Sequence, residues 1–492
     1  MQTASDHPSS SASGPGARDH RWHALIVVCL GVLMIVLDTT VVNVALPSIK
    51  TDLGFSEAAL AWVINAYMLT FGGFLLLGGR LGDLFGHRRL FLLGLVLFTV
   101  ASLACGLAGS QTFLVVARAV QGLGGAVVMA VALSLIMTLF TEPGERAKAM
   151  GVYSFVCAGG GSVGLLLGGV LTDLLSWHWI FLINIPIGIA VFVASTRLLP
   201  GRHAAGGKGP LDVVGALTVT TALMLAVYAV VNGNEVGWGS GTTLAMLAVA
   251  AALLAAFFVI ESRVRAPLMP LAMLRLRNVA TANVVGVLWS AAMFAWFFLS
   301  ALYLQLVLGY SPMQVGLAFL PGNLIMAAFS LGLSARLVMR FGVRLPLAAG
   351  LLLAAVGLAL FARAPVDGHY VADVLPAMLL LGIGAGMAFN PMLLAAMSDV
   401  EPDQAGLASG VVNTSFMMGG ALGLAVLASA AAASSEGQLA AGAERVAALA
   451  GGYGTAFLAG ACFAAVAGIA GGLLLRTRTP DRESGEPALA AS

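Results

Sequence analysis

Fourteen stretches of near-continuous apolar residues, broken by charge, proline or glycine clusters, run through this sequence: 24–46, 58–79, 90–109, 112–140, 149–171, 178–199, 212–231, 242–260, 279–308, 313–335, 346–363, 373–397, 406–432 and 452–475. A helix needs about 20 apolar residues to cross a bilayer, and these runs are of that order. In hydrocarbon the backbone finds no outside partners, which leaves helices or closed barrels, and the runs are too long for barrel strands. The expected fold class is all-α: a polytopic membrane protein with 14 transmembrane helices. Only 9% of the residues are charged, against roughly 25% in a soluble domain, so little remains to cover a water-facing surface. A large soluble domain is excluded, and most enzyme classes with it. A net charge of +2 provides no basic face for nucleic acid.

Arginine and lysine placement sets the expected orientation. With the N-terminus in the cytoplasm, twenty of the 24 basic residues fall on the cytoplasmic side, three (Lys50, Arg363 and Arg445) fall outside, and Arg118 lies within a span. Both termini are therefore expected in the cytoplasm. The segment 1–23, rich in Ser, Gly and Pro, reads as a disordered tail, and the first apolar run as an uncleaved signal anchor. Cys29, Cys105, Cys157 and Cys462 each sit singly in an apolar run and read as small core residues.

An internal repeat divides the chain. GGRLGDLFGHRRL from Gly78 is matched by SARLVMRFGVRLP from Ser334 at an offset of 256, pairing Arg80 with Arg336, Phe85 with Phe341, Gly86 with Gly342 and Arg88 with Arg344. Duplicated halves are typical of secondary transporters. The expected organisation is a tail (1–23), a six-helix bundle (24–199), a linker with two extra transmembrane helices (200–277), a second six-helix bundle (278–475) and a cytoplasmic tail (476–492), a 6 + 2 + 6 plan.

Three constellations can carry chemistry. Asp38 in span 1 and Arg118 in span 4 are the ionisable residues read as deep, each roughly 9 to 12 Å below the outer edge at 1.5 Å per residue. At matching depth they can meet, either as structural glue or as a proton-coupling pair, because the protonation of a carboxylate depends on its hydration and on neighbouring charge. The segment from Gly78 to Arg89 reads as a tight turn between spans 2 and 3; its arginines suit topology, whereas Asp83 has no topological task. Span 5 holds seven glycines, with Gly160, Gly164 and Gly168 in consecutive GxxxG steps that let helices approach closely.

LDTTVVNVALPSI from Leu37, GRLGDLFGHRR from Gly79, RAVQGLGGA from Arg118, the glycine run ending at Gly169, SWHWIFLINIPIG from Ser176 and PDQAGLASGVVNTS from Pro402 occur in this order. The chain thereby resembles, over essentially its whole length, the fourteen-helix drug:proton antiporters of the major facilitator superfamily (the EmrB/QacA type). The resemblance implies two pseudo-symmetric bundles rocking about a central cavity. It assigns Asp38 and Arg118 to proton coupling, Arg80, Asp83, Gly86 and Arg88 to a cytoplasmic gate, and Gly160, Gly164, Gly168 and Gly169 to the antiporter motif. Three positions depart from the pattern: Leu165 stands where the motif has proline, His178 where arginine is frequent, and Met339 opposite Asp83.

The expected function is proton-coupled antiport exporting small amphipathic compounds, drugs or antibiotics, across the bacterial cytoplasmic membrane by alternating access. Proton-coupled uptake of a nutrient is the alternative that the same fold allows. No GxxxxGK[ST] segment is present for ATP, and no metal-ligand cluster or deep histidine supports an enzyme. The expected partners are protons, an amphipathic substrate and membrane lipid; neither a cofactor nor a metal is expected, and the chain is expected to act as a monomer. Asn43, Asn65, Gln121, Trp289, Phe294, Trp296, Asn323, Asn390 and Asn413 are the candidates for lining a substrate cavity, since a few polar groups in an apolar cavity suit amphipathic ligands. Aromatic residues in a membrane helix also pack on neighbours. With Asp38 read as the single deep acid, and Asp173, Asp212 and Glu235 read as reaching water at span ends, neutral or anionic substrates are expected over dications.

Overall fold

The computed structural model describes residues 15–140, 142–199, 212–265, 267–269, 271–329, 333–397, 399–400 and 405–476. The first part of the chain forms α1 (Pro15–Leu53), α2 (Trp62–Phe85), α3 (His87–Gly106), α4 (Gln111–Leu139), α5 (Pro143–Leu174), α6 (Trp179–Leu182) and α7 (Asn184–Leu198). Two further helices follow, α8 (Val213–Val236) and α9 (Gly241–Arg263). The last part forms α10 (Arg277–Leu302), α11 (Pro312–Ala328), α12 (Ser334–Phe341), α13 (Arg344–Phe361), α14 (Leu375–Met397), α15 (Ala405–Ala440) and α16 (Arg445–Leu474). Among the described residues each expected apolar run falls mainly on helix, because an apolar run without local breakers satisfies its own backbone only in that form.

Twelve helices among the described residues are long and apolar enough to cross a membrane, so the chain is a multi-pass membrane protein. Two shorter apolar helices, Val163–Leu174 and Pro312–Ala328, fall short of that length. The described residues thus support twelve of the fourteen expected crossings. Boundaries moved where caps decide them: Ser110 accepts a hydrogen bond from the Phe113 N–H, and Ser311 forms a capping box with Gln314 at the start of α11. The structure also starts helix at Pro15, inside the segment expected to be disordered, so α1 extends well before the apolar run.

The helices pack as two groups with α8 and α9 beside them. α1 lies on α5, α2 and α3 on α4 in one half; α10 on α15, and α11 and α13 on α14 in the other. The halves meet along two seams, α5 against α11 and α2 against α15, and α8 rests on both helices of the second seam. The repeated arginine segment is a helix end in each half. α2 runs on to Phe85 and turns at Gly86 with φ of 95°, and α12 turns at Gly342 with φ of 75°, conformations that glycine adopts without steric cost. The expected turn over Gly78–Arg89 is therefore mostly helix, with the reversal confined to Gly86. Just beyond it, Arg88 donates to the Thr196 carbonyl (2.5 Å) in the last turn of α7, and Arg344 donates to the Gly472 carbonyl in the last turn of α16. Carbonyls in the last turn of a helix lack intrahelical partners, and each arginine supplies one with a charged donor. Below, the end that carries these groups is the arginine-rich end, and Lys50 lies at the opposite end.

Candidate functional site

Asp38 and Arg118 meet. The Arg118 Nη1 donates to Asp38 Oδ2 at 2.6 Å, and both residues are only 1% exposed. Depth arithmetic on the sequence placed the two at one level, and α1 and α4 are in contact there. The other carboxylate oxygen, Oδ1, accepts from Gln121 Nε2 (2.7 Å) and from Asn184 Nδ2 (3.0 Å). Ser102 Oγ accepts from the same two amides, at 2.8 and 3.4 Å. Arg118 is held independently by the Val63 carbonyl (Nε, 2.9 Å) and by Gln121 Oε1 (2.7 Å). Its guanidinium also lies over the Tyr67 ring, 4.4 Å from the centroid, with Phe181 at 5.5 Å.

Five helices therefore converge on one carboxylate. The network joins α1 (Asp38), α2 (Val63, Tyr67), α3 (Ser102), α4 (Arg118, Gln121) and α7 (Asn184). A buried pair of this kind persists because the remaining lone pairs and protons are satisfied, so desolvation is offset. Protonation of Asp38 would remove the charge facing Arg118 while leaving Arg118 its carbonyl, amide and ring contacts.

The sequence reading placed Gln121 among the cavity residues; the structure places it inside this network. Ser102 and Asn184 were not singled out, although Asn184 lies within the SWHWIFLINIPIG segment. An uncharged amide on an apolar run gives no cue to its partner until the helices are assembled.

The glycines of α5 face α1 at the level of Asp38. A Cβ on Gly160 would lie 2.9 Å from Val36 Cγ1, one on Gly164 3.1 Å from the Leu37 carbonyl oxygen, and one on Gly168 2.6 Å from the Val41 carbonyl oxygen. Gly169 points the other way, where a Cβ would lie 2.6 Å from the Pro312 carbonyl oxygen of α11 in the opposite half. Gly316 of α11 returns the contact, 2.8 Å from the Leu165 carbonyl oxygen on the same measure. With leucine in place of the motif proline, α5 is an uninterrupted helix.

Of the residues expected at a gate, Gly86 and Arg88 form the turn and clamp described above, Arg80 is exposed on α2, and the side chain of Asp83 lies outside the described residues.

The cavity candidates do not form one site. Asn43 donates to the carbonyls of Thr39 and Thr40 on its own helix (3.3 Å each). Trp289 and Trp296 are buried, and Trp296 packs beside Phe297 with ring centroids 4.4 Å apart. Both indole N–H groups, both amide atoms of Asn65 and the Asn323 Oδ1 are buried without hydrogen-bond partners. Phe294 faces Phe416 (6.0 Å), and Asn390 and Asn413 are half-buried. A groove of about 560 Å³ lies instead at the opposite end between Pro47, Ser48, Thr51 and Asp52 of α1 and Gln305, Leu306 and Tyr310; no candidate lines it. Gln305 ties the two sides there by donating to the Val44 carbonyl (2.8 Å).

Three expectations are corrected. Asp212 does not reach water but is 4% exposed, and Glu261, which was not singled out, is 3% exposed, so Asp38 is not the single buried acid. Helix ends that read as wet are covered here by packing between α8, α9 and α2. Cys462, read as core, is exposed on α16; Cys29 and Cys105 are buried.

Residues 28–424 match the model of the Major Facilitator Superfamily. The chain is 42% identical over 422 residues to the puromycin resistance protein of Streptomyces alboniger, covering 85% of this chain and 84% of that protein. It is 40% identical over 443 residues to the cephamycin export protein of Amycolatopsis lactamdurans, covering 89% and 90%. Against the tetracenomycin C resistance and export protein of Streptomyces glaucescens the identity is 36% over 426 residues, covering 86% and 78%. Among solved structures, a bacterial homolog of the human lysosomal transporter Spinster, in an inward-facing and unoccupied conformation, superposes with a TM-score of 0.63 at 18% identity, covering 94% of this chain and 98% of that one.

Proposed function

The chain thus belongs to the major facilitator superfamily, transporters rather than enzymes, and on that premise we propose that it is a proton-driven exporter of small amphipathic antibiotics. The export direction draws on the relatives, whose names describe antibiotic export or resistance. The observation that carries proton coupling is the buried Asp38–Arg118 pair, in which one carboxylate oxygen faces the cation and the other holds two neighbouring helices, α4 and α7, through the amides of Gln121 and Asn184.

In this reading the helices Val163–Leu174 and Pro312–Ala328 complete fourteen crossings, the first as the end of the 32-residue α5. The arginine-rich end lies in the cytoplasm and the protein sits in the bacterial inner membrane, following the charge asymmetry. A proton entering from outside neutralises Asp38, α1 loosens from α4, and the movement passes through the glycine contacts to α5 and α11. Substrate and proton thereby use alternate states of one bundle, as antiport requires.

The test is flux. In everted membrane vesicles with an imposed pH gradient and no ATP, the wild type should accumulate a labelled antibiotic such as puromycin, and collapse of the gradient should release it. Asp38→Asn keeps the volume and loses the titration; accumulation by that variant equal to wild type would remove Asp38 from coupling.

A further inference from the structure

A second pair of buried acids lies outside the site above, in the helix pair inserted between the halves. Asp212 caps the start of α8, where its Oδ1 accepts from the Gly215 N–H at 2.7 Å. Glu261 lies near the end of α9, where its Oε2 accepts from the Met269 N–H at 3.0 Å. Each carboxyl group has one further oxygen, Asp212 Oδ2 and Glu261 Oε1, and both are buried with no hydrogen-bond donor. These two oxygens converge over Gly215: a Cβ there would lie 2.8 Å from Glu261 Oε1 and closer still to Asp212 Oδ2. The carboxyl groups are within hydrogen-bonding reach of each other.

Two ionised carboxylates cannot rest this way. Like charges in contact and out of water repel, and the usual remedies are a basic side chain, a metal ion or a proton. Of the described basic residues of the surrounding elements, Arg80 of α2 and Arg263 and Arg265 at the end of α9 are exposed, and Asp212 is the charged group that faces Glu261; Lys208 lies outside the described residues. On α2 the only acid is Asp83, whose side chain is not described, and the only charge on α15, Glu436, lies at the opposite end. A divalent ion would need more oxygen or nitrogen ligands, and no group of three metal-binding side chains occurs among the described residues.

We propose that Asp212 and Glu261 form a proton-binding site, holding one proton between Asp212 Oδ2 and Glu261 Oε1 and thereby tying α8 to α9 at the arginine-rich end. The proton comes from bulk water and returns there; no other bond is made or broken. The site also has a mechanical neighbour. Ala216, one turn into α8, and Leu268, beside the Met269 that Glu261 holds, pack on Leu77 and Leu81 of α2, close to the turn at Gly86. When the proton leaves, the two negative charges push the ends of α8 and α9 apart and loosen this cluster. The protonated state therefore braces α2, and the deprotonated state releases it. This inference is independent of what the protein transports.

Purified full-length protein in lipid nanodiscs, carrying Asp38→Asn to silence the other buried acid, provides the test through thermal unfolding and infrared spectra recorded across neutral pH. The bound proton predicts a loss of melting temperature as pH rises and, in parallel, loss of a protonated-carboxyl band. In Glu261→Gln the amide donates to Asp212 in place of the proton, so the pH slope and the band should both vanish while the high melting temperature persists; Asp212→Asn is the second variant and should also flatten the slope. A slope retained in both variants, or no slope in the parent, overturns the proposal. Restoration of melting temperature at alkaline pH by sodium, magnesium or calcium chloride, and not by an osmotically matched sugar, would also overturn it in favour of a cation site.

Discussion

The two halves share a frame and differ in what they bury. Each has an arginine at the start of its third span bound to the last turn of its sixth, a glycine of positive φ just before it, and a first helix packed against glycines of the fifth. Gly168 meets Val41 in one half, and Gly423 meets Ala291 in the other, where a Cβ would lie 2.5 Å from the Ala291 Cα. Inside that frame the first half holds an ion pair with three hydrogen-bonded neighbours, Val63, Gln121 and Asn184. The second holds aromatic rings: Trp296 by Phe297, Phe297 stacked on Phe319 at 5.7 Å, and Tyr303 beside Phe361 at 5.7 Å. Its buried polar groups on α10 and α11 are neutral, namely Asn278, Thr281, Asn283, Ser290, Ser300 and Asn323. The packing scheme thus tolerates either chemistry, and among the described residues the buried ion pair lies in the first half.

The largest expected effect breaks the halves apart by function. Asp38→Asn should abolish flux driven by a pH gradient, whereas Trp296→Phe should retain the response to the gradient and change which compounds compete. Vesicle flux with a panel of antibiotics reads both. Next in size, Arg118→Met leaves Asp38 buried without its cation and should cost about 3 to 5 kcal/mol. Adding Asp38→Asn to that variant should recover much of the loss, which thermal unfolding in detergent at fixed lipid content can measure. Smaller again, Gly168→Leu and Gly423→Leu should each destabilise by roughly 1 to 3 kcal/mol through overpacking. Similar losses would support a common frame, and a loss confined to one would refute it. Smallest, Arg88→Ala and Arg344→Ala should each lower stability by about 1 kcal/mol, because each removes one charged hydrogen bond to a helix end. A difference between them much beyond that figure would mean that the repeated arginines have diverged in role.

Much of the frame was legible because lipid leaves the backbone few choices. Each apolar run had to be helix, and the offset between Arg88 and Arg344 revealed the duplication before any packing was known. The Asp38–Arg118 contact was legible for a related reason: charges are rare enough in such a chain that two at one depth point to each other. The remainder of that site was not legible. Ser102, Gln121 and Asn184 are neutral residues on three helices, and their meeting depends on rotation about each helix axis, which nearly uniform apolar runs do not encode. The same limit hid Asp212 and Glu261. Asp212 at its span end read as wet, Glu261 was not singled out, and the packing of α2 against the inserted pair takes both out of water. The aromatic residues of α10 were ambiguous from the start, since a ring that packs and a ring that lines a cavity have the same sequence signature.

The glycines of α5 also bear on how readily the halves can shift. Interlocked side chains act as gear teeth: one helix slides past another only after rotamers disengage. Along α5, Gly160, Gly164 and Gly168 present bare backbone to α1, and Gly169 presents it to α11. There are few teeth on either side. A small displacement along this helix requires little repacking, so a shift of α1 would meet low friction on its way to the second half, and a single added side chain would work as a brake.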